Sequence, residues 1–408
     1  MKSQRNYPLL LASQFLSAFG DNAILTLILG PLLVAFAKGK ITGHEQSVAN
    51  IFYPSLLFVP YVLLAPLAGF LNDRYSKTFL LIGGNSVKLF GSIITAVGIS
   101  WGGLWHGFGY FLVGIGACLY SPAKYGILPE ILPRERLVKA NGTVELLTLV
   151  AILLGNIVGA ILVDKLPLSV GYVIVIAIYG ASMFLNFFME RSPSHPEVVA
   201  RGSVAEFGRN LTSIFQDKRL ARIIIGTSLF WICGAMLKMN FQPWGQQVLH
   251  YQKMTDIALL GLWLSIGVMI GSVLAGKFYR TGNLHATRRW GWLLALAIAL
   301  LGALNWLLAR SGLPMQPSAI SILIVAGIIA GLFLIPLNAA LQAESHQDKL
   351  GKTIATQNLF ENVAMLGGSV FAFANVKVGF DPSQLFLGLA LLVAVVVAFL
   401  KIPKIKTA

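Results

Sequence analysis

Apolar stretches long enough to cross a lipid bilayer recur twelve times along these 408 residues, and that recurrence excludes most other folds. A hydrocarbon core of roughly 30 Å needs about 20 helical residues at 1.5 Å each, and a helix satisfies its own backbone hydrogen bonds where no water can. The runs fall near 8–37, 47–71, 78–100, 106–128, 138–163, 168–189, 220–245, 256–279, 289–309, 317–343, 351–376 and 383–401. Hydrophobic residues make up 56% of the chain and charged ones 12%, where soluble chains carry about 25% charge. A soluble core cannot absorb that much apolar sequence. The first run follows Lys2 and Arg5 and is far longer than the roughly 7–15 apolar residues of a secretory signal. It also lacks a small-x-small cleavage site, so an uncleaved first span is expected.

The net charge of +15 would suggest nucleic acid in a soluble protein, but here the charges sit in short loops with no basic stripe interleaved with aromatics. No nucleic-acid partner is expected. Counted over alternate loops, one side holds 22 Lys and Arg, including those at both chain ends, and the other holds 6. Basic loops stay in the cytoplasm. Both termini are therefore expected there. Cys118 and Cys233 lie inside apolar runs, as buried small hydrophobes do, and no metal or cofactor is expected.

The longest polar stretch, 190–219, separates a six-span half, 1–189, from a second, 220–408. Within it Val204, Phe207, Leu211 and Ile214 recur at helical spacing, as in an amphipathic helix lying on a membrane surface. The halves also repeat. Pro122 and Glu130 at the end of span four match Pro336 and Glu344 at the end of span ten, 214 positions on. Lys139 with Lys352, and AILLG (151–155) with AMLGG (364–368), match at 213. Such a repeat is the mark of transporters with a central site between their halves.

Between spans two and three stands Gly69-FLN-Asp73-Arg74-Tyr75-Ser76-Lys77. This loop resembles the G-x-x-x-D-R-x-x-[RK] motif of the major facilitator superfamily. The resemblance implies an all-α integral membrane protein, a bundle of twelve transmembrane helices in two pseudo-repeated six-helix halves. Gly69 is expected to allow close helix approach, and Asp73 to cap a helix or pair with basic residues of an inner gate with Arg74 and Lys77. The family's next basic residue is Thr78 here. The copy after span eight has decayed to Gly276-Lys277-Phe278-Tyr279-Arg280, which argues against a symmetrical gate.

Six charges fall inside spans: Asp21, Lys88, Lys124, Glu145, Lys238 and Glu361. Each costs about 2.5–3.5 kcal/mol at the bilayer centre even on lenient scales, so each needs a partner or a purpose. All but Lys88 lie on spans that line the cavity in the superfamily resembled, and Lys88 is expected to be a structural partner. With Asn22, Tyr125, Asn338 and Asn362 beside them, Asp21, Lys124, Glu145, Lys238 and Glu361 form the candidate substrate site. Lys124 and Lys238 suit a phosphate. The competing reading is that the charges pair with one another and hold the halves in register.

QFLSAFGDNA, NSVKLFG, YSPAKYGILPE, LVKANGTVE, GTSLFW, IPLNAALQ and TQNLFENVAML, spread over both halves, resemble the bacterial lysophospholipid transporter (LplT) family. The resemblance implies movement of lysophosphatidylethanolamine and lysophosphatidylglycerol from the outer to the inner leaflet of the bacterial inner membrane. It also implies a separate acyltransferase at the cytoplasmic face, a monomeric transporter and no cofactor. A multidrug or ion-coupled solute transporter of the same fold is the alternative. An enzyme is not expected. Leu350-Gly351-Lys352-Thr353 lacks the leading Gly of a phosphate-binding loop, and His44-Glu45 lacks the second His of a zinc protease.

Overall fold

The computed structural model describes residues 5–133, 137–199, 205, 208–209, 211–212, 215–278, 284, 286–308, 314–344 and 350–403, and no strand occurs among them. The helices of the first half are α1 (Asn6–Ala37), α2 (Gly43–Leu63), α3 (Ala65–Arg74), α4 (Lys77–Trp101), α5 (Gly103–Gly126), α6 (Leu128–Ile131), α7 (Leu137–Lys165) and α8 (Leu168–Phe187). Those of the second are α9 (Lys218–Gln247), α10 (Met254–Phe278), α11 (Thr287–Leu308), α12 (Met315–Glu344), α13 (Leu350–Lys377) and α14 (Pro382–Phe399). By length and composition 11 helices can cross a membrane, and 12 if the bent pair α2 and α3 is one span. The expected twelve spans are all present.

The second span is not the single rod that its apolar run suggested. It breaks at Leu64 and turns by 57°. Pro66 occupies the first turn of α3, where its missing N–H costs nothing but where it cannot continue the helix before it. The expected amphipathic linker helix lies mostly outside the described residues. Of its four apolar positions only Leu211 is described, and nearby Phe215 packs on Phe360 of α13 with ring centroids 4.6 Å apart.

Two compact units form, Met1–Pro31 with Tyr53–Gly208, and Leu32–Phe52 with Arg209–Ala408. The chain thus passes into the second unit within α1, just after Pro31, and returns within α2, just before Pro54.

Inside lipid no hydrophobic effect drives helices together, so close packing of small residues must. In the first unit Gly84 and Gly91 of α4 face Gly116 and Gly109 of α5, and an added Cβ would strike the opposite backbone. The spacing of seven keeps one seam in register along the pair. In the second unit Gly267 and Gly271 of α10 face Gly327 and Gly331 of α12 in the same way. Gly114 and Gly327, 213 positions apart, each press on a backbone carbonyl of an earlier span, Leu56 O and Leu264 O. The internal repeat is therefore a repeat of packing as well as of letters. A Gly271→Val protein is expected to lose most of its monodisperse peak in detergent gel filtration, because the clash is with backbone that cannot yield.

Where the second unit's chain ends, Arg219 donates to Pro403 O, Arg222 to Lys401 O, and Arg288 to Val397 O and Ala398 O at 3.2 and 3.0 Å. Arg288 thus covers carbonyls of the last turn of α14, and Arg219 and Arg222 hold the chain just beyond it.

Candidate substrate-binding site

The charges predicted from sequence separate into distinct local sites. In the first unit Asp21 on α1 pairs with Lys88 on α4 at 2.6 Å, and the Tyr179 hydroxyl of α8 donates to its other oxygen at 2.9 Å. Lys88 Nζ also donates to Ser17 at 2.8 Å and lies 5.4 Å from the Tyr120 ring centre. Lys88 is thus the ion-pair partner of Asp21. From there a chain of hydrogen bonds runs on. Ser17 donates to Asn85 (2.8 Å), Asn85 to Ser182 (2.8 Å), Ser182 to Ser13 O (2.7 Å), and Ser13 meets the Tyr120 hydroxyl (2.9 Å). Four helices are joined by this buried polar core. The Asn22 amide donates back to Ala18 O within α1.

A second cluster lies around Lys124, on the last turn of α5. Its ammonium reaches Thr148 Oγ1 on α7 at 3.4 Å and lies 4.9 Å from the Tyr125 ring centre. Thr148 in turn donates to Gln14 Oε1 on α1 at 3.0 Å. Glu145 is on α7 one turn before Thr148, and its side chain lies outside the described residues.

The second unit holds an acidic counterpart. Glu361 on α13 is 6% exposed. Gln357, one turn earlier, donates to Glu361 Oε1 at 2.8 Å and to Asn338 Oδ1 on α12 at 2.9 Å. Asn338 stands 214 positions after Lys124, and Glu361 stands 213 after Thr148. The repeat therefore places a basic cluster in one unit and an acidic one in the other at equivalent positions. Lys238 is half-buried on α9, which packs on α13 through Gly368 against Ile232 and Met236. Asn362 donates to Asn358 O on its own helix. Gln14, Thr148 and Gln357 went unnoticed in the sequence because neutral amides and hydroxyls are ordinary in spans. The 213 offset sets Thr148 opposite Glu361, but what each of the three side chains holds shows only in the fold.

At the motif loop, one expectation is corrected and another narrowed. A Cβ on Gly69 would meet nothing within 4 Å, so no close helix approach depends on it. Ser76, and not Asp73, caps the helix that follows, accepting from Phe79 N at 3.4 Å. Lys77 pairs with Glu130 at 3.7 Å, and Arg74 donates to Val198 O at 3.2 Å while its own carbonyl accepts from His195 N at 2.8 Å. The start of the linker thus lies across the loop. There the exposed Glu197 is held below the usual carboxylate range, first by its own backbone N–H and then by the His195 ring.

Glu344, the repeat partner of Glu130, binds Arg219 through both carboxylate oxygens at 2.6 and 2.7 Å. Both repeat acids thus hold a base, but different ones, as the decayed second motif would require. Arg219→Lys is expected to cost about 1–2 kcal/mol of stability, since an ammonium cannot reproduce a two-toothed contact. Thermal unfolding in detergent reads it.

Twelve helical spans in two repeat-related halves, each carrying charged groups inside its bundle, define a multi-pass membrane transporter of the major-facilitator type. The profile of the Major Facilitator Superfamily matches residues 10–369. A protein of Photorhabdus laumondii named lysophospholipid transporter LplT is 34% identical over 366 residues, covering 89% of this chain and 86% of the relative. One of the same name from Serratia proteamaculans is 33% identical over 361 residues, 87% of this chain and 85% of the relative. Solved structures agree in fold. A D-xylose-proton symporter superposes with a TM-score of 0.71 at 14% identity over 98% of both chains, and a POT family transporter with 0.72 at 12% over 97% and 95%. The chain belongs to the Major Facilitator Superfamily and, within it, to the lysophospholipid transporter LplT family.

Proposed function

We propose that this protein moves lysophospholipids, lysophosphatidylethanolamine and lysophosphatidylglycerol among them, from the outer to the inner leaflet of the bacterial inner membrane by alternating access. The observation that carries this reading is the similarity to relatives named for lysophospholipid transport along nearly nine-tenths of the chain. The charge pattern supports it. A lysolipid presents a phosphate, which Lys124 and Lys238 suit, and polar headgroup atoms, which Glu361, Gln357, Asn338 and Asn362 suit. Asp21, Asn22, Tyr125 and Glu145 complete the polar lining, and Gly69, Asp73, Arg74 and Lys77 belong to the inner gating loop. Both termini face the cytoplasm, following the bias of basic loops. The protein acts as a monomer without a cofactor, changes no covalent bond of its cargo, and hands it to a separate cytoplasmic-face acyltransferase.

Spheroplasts carrying the protein are expected to take up labelled lysophosphatidylethanolamine above an empty control, with competition from unlabelled lysolipid. Uptake equal to the control would refute the proposal. Strict dependence on an ion gradient with no lysolipid competition would point to a multidrug or ion-coupled transporter, a reading that no particular observation favours.

A further inference from the structure

Where α11 and α14 lie side by side, their seam is tight at two points and open between them. A Cβ on Gly291 would strike the Val397 side chain, and one on Gly302 would strike Leu387 and Ser383 O. Between these contacts a groove of about 370 Å³ runs along the pair. Ala295 and Ala299 of α11, and Ala390 and Ala394 of α14, stand four apart on their helices and so floor it with methyl groups. Leu296 and Leu391, 55% and 67% exposed, rise beside them as walls. Both helices are candidate membrane spans, so side chains exposed along them meet acyl chains. From Trp292 to Ala299 the groove follows about 10 Å of helix, much of the roughly 15 Å that the chains of one leaflet fill.

One end of this groove is built from cations. Arg288 stands one turn before Trp292, and its Nε and Nη2 donate to Val397 O and Ala398 O at 3.2 and 3.0 Å. Those carbonyls lie three and four residues beyond Ala394, so the guanidinium bridges both helices one turn past the groove. The Nη1 group takes part in neither bond. A planar guanidinium held along one edge offers its other edge to a ligand, in the fork that phosphate oxygens match. Arg289 is exposed and shares a helix face with Trp292 and Leu296, three and seven residues on. Lys401 is exposed just past α14, and Arg222 donates to its carbonyl. Four cations thus gather at this end of α14, and Trp292 stands between them and the alanines, where tryptophan sits at a membrane interface.

We propose that this groove is a binding site for an anionic phospholipid of the phosphatidylglycerol type, with one acyl chain over the alanines and the phosphate on Arg288 and Arg289. The charge selects the occupant. A zwitterionic lipid would fill the groove with the same chain but brings an ammonium to the cations, whereas phosphatidylglycerol brings a net negative charge, and basic pockets between spans recognise such headgroups. On the orientation proposed above, the lipid belongs to the inner leaflet. None of these residues is assigned to the cargo, and the inference does not depend on which cargo is carried.

Full-length protein in liposomes that mix brominated with ordinary lipid tests it, because bromine on an acyl chain quenches a tryptophan that it touches. Trp292 emission, taken as the difference between the parent and Trp292→Phe, should report a preference for phosphatidylglycerol over phosphatidylcholine of about tenfold, since each cation near the surface adds several-fold. That preference should weaken at high salt and fall to near unity in Arg288→Gln, Arg289→Gln. Ala299→Leu, Ala394→Leu, which keeps both arginines and fills the groove, should abolish it as well, so the test stands even if the arginine variant fails to fold. Equal quenching by the two lipids in the parent, or a preference that survives either double variant, would overturn the inference. So would Trp292 shielded from both lipids in a protein of twice the monomer mass, which would give the groove to a second copy of the chain.

Discussion

Lys88→Met is expected to destabilise the protein by about 3–5 kcal/mol, the cost of leaving a buried charge without its partner. The lysine is 3% exposed, and Asp21 would keep only the Tyr179 hydroxyl of the two side-chain bonds the structure gives it. Ser17 and Asn85 would lose the cation that anchors their chain. Replacing Asp21 by Asn in the same protein should recover most of that stability, because a neutral pair in a dry interior is often no worse than a charged one. Thermal unfolding of the two single variants and the double one, in one detergent, checks this. If the double variant is as unstable as Lys88→Met, the ion pair is not what holds α1 to α4. A stable double variant that no longer transports would assign Asp21 a role in binding as well.

The second large effect concerns transport. Lys124→Ala and Glu361→Gln are each expected to lower lysolipid affinity by about 10- to 100-fold, the worth of a hydrogen bond to a charged group at about 1.5–3 kcal/mol. The two should differ in character. Lys124→Ala removes the charge suited to the phosphate that every lysophospholipid carries, so all headgroups should suffer alike. Glu361→Gln keeps the hydrogen bonds that Gln357 and Asn338 organise but discards the negative charge. It should therefore harm lysophosphatidylethanolamine, which bears an ammonium, more than lysophosphatidylglycerol, which does not. Competition binding with the two lipids reads the difference. Equal losses for both lipids in Glu361→Gln would show that the glutamate does not meet the amine.

The spans were legible because lipid imposes one rule, continuous apolar helix, and twelve runs obey it. The break at Leu64 was not, because Pro60 and Pro66 are both tolerated in spans and composition does not say which one ends a helix. The buried charges stood out by their cost, yet their partners did not. Helical periodicity assigns Asp21 a face of α1 but cannot say that α4 will bring Lys88 to it. Glu130 and Glu344 were recognised as repeat mates from spacing alone, while the bases they hold, Lys77 and Arg219, come from non-equivalent helices. That difference follows the loss of the motif after span eight. Gly69 shows the converse, a motif residue whose expected packing role the structure does not supply. Gln357 and Thr148 required the fold, since only the pairing of α12 with α13 and of α5 with α7 shows what they hold in place.

The central claim is translocation of a lysolipid, and reconstitution addresses it most directly. Proteoliposomes holding the purified protein, with headgroup-labelled lysophosphatidylethanolamine added to the outer leaflet, should move label to the inner leaflet, where an added impermeant quencher cannot reach it. The Lys124→Ala, Glu361→Gln protein should move far less at the same folded amount. Protection of the label no faster than in protein-free liposomes would contradict the account.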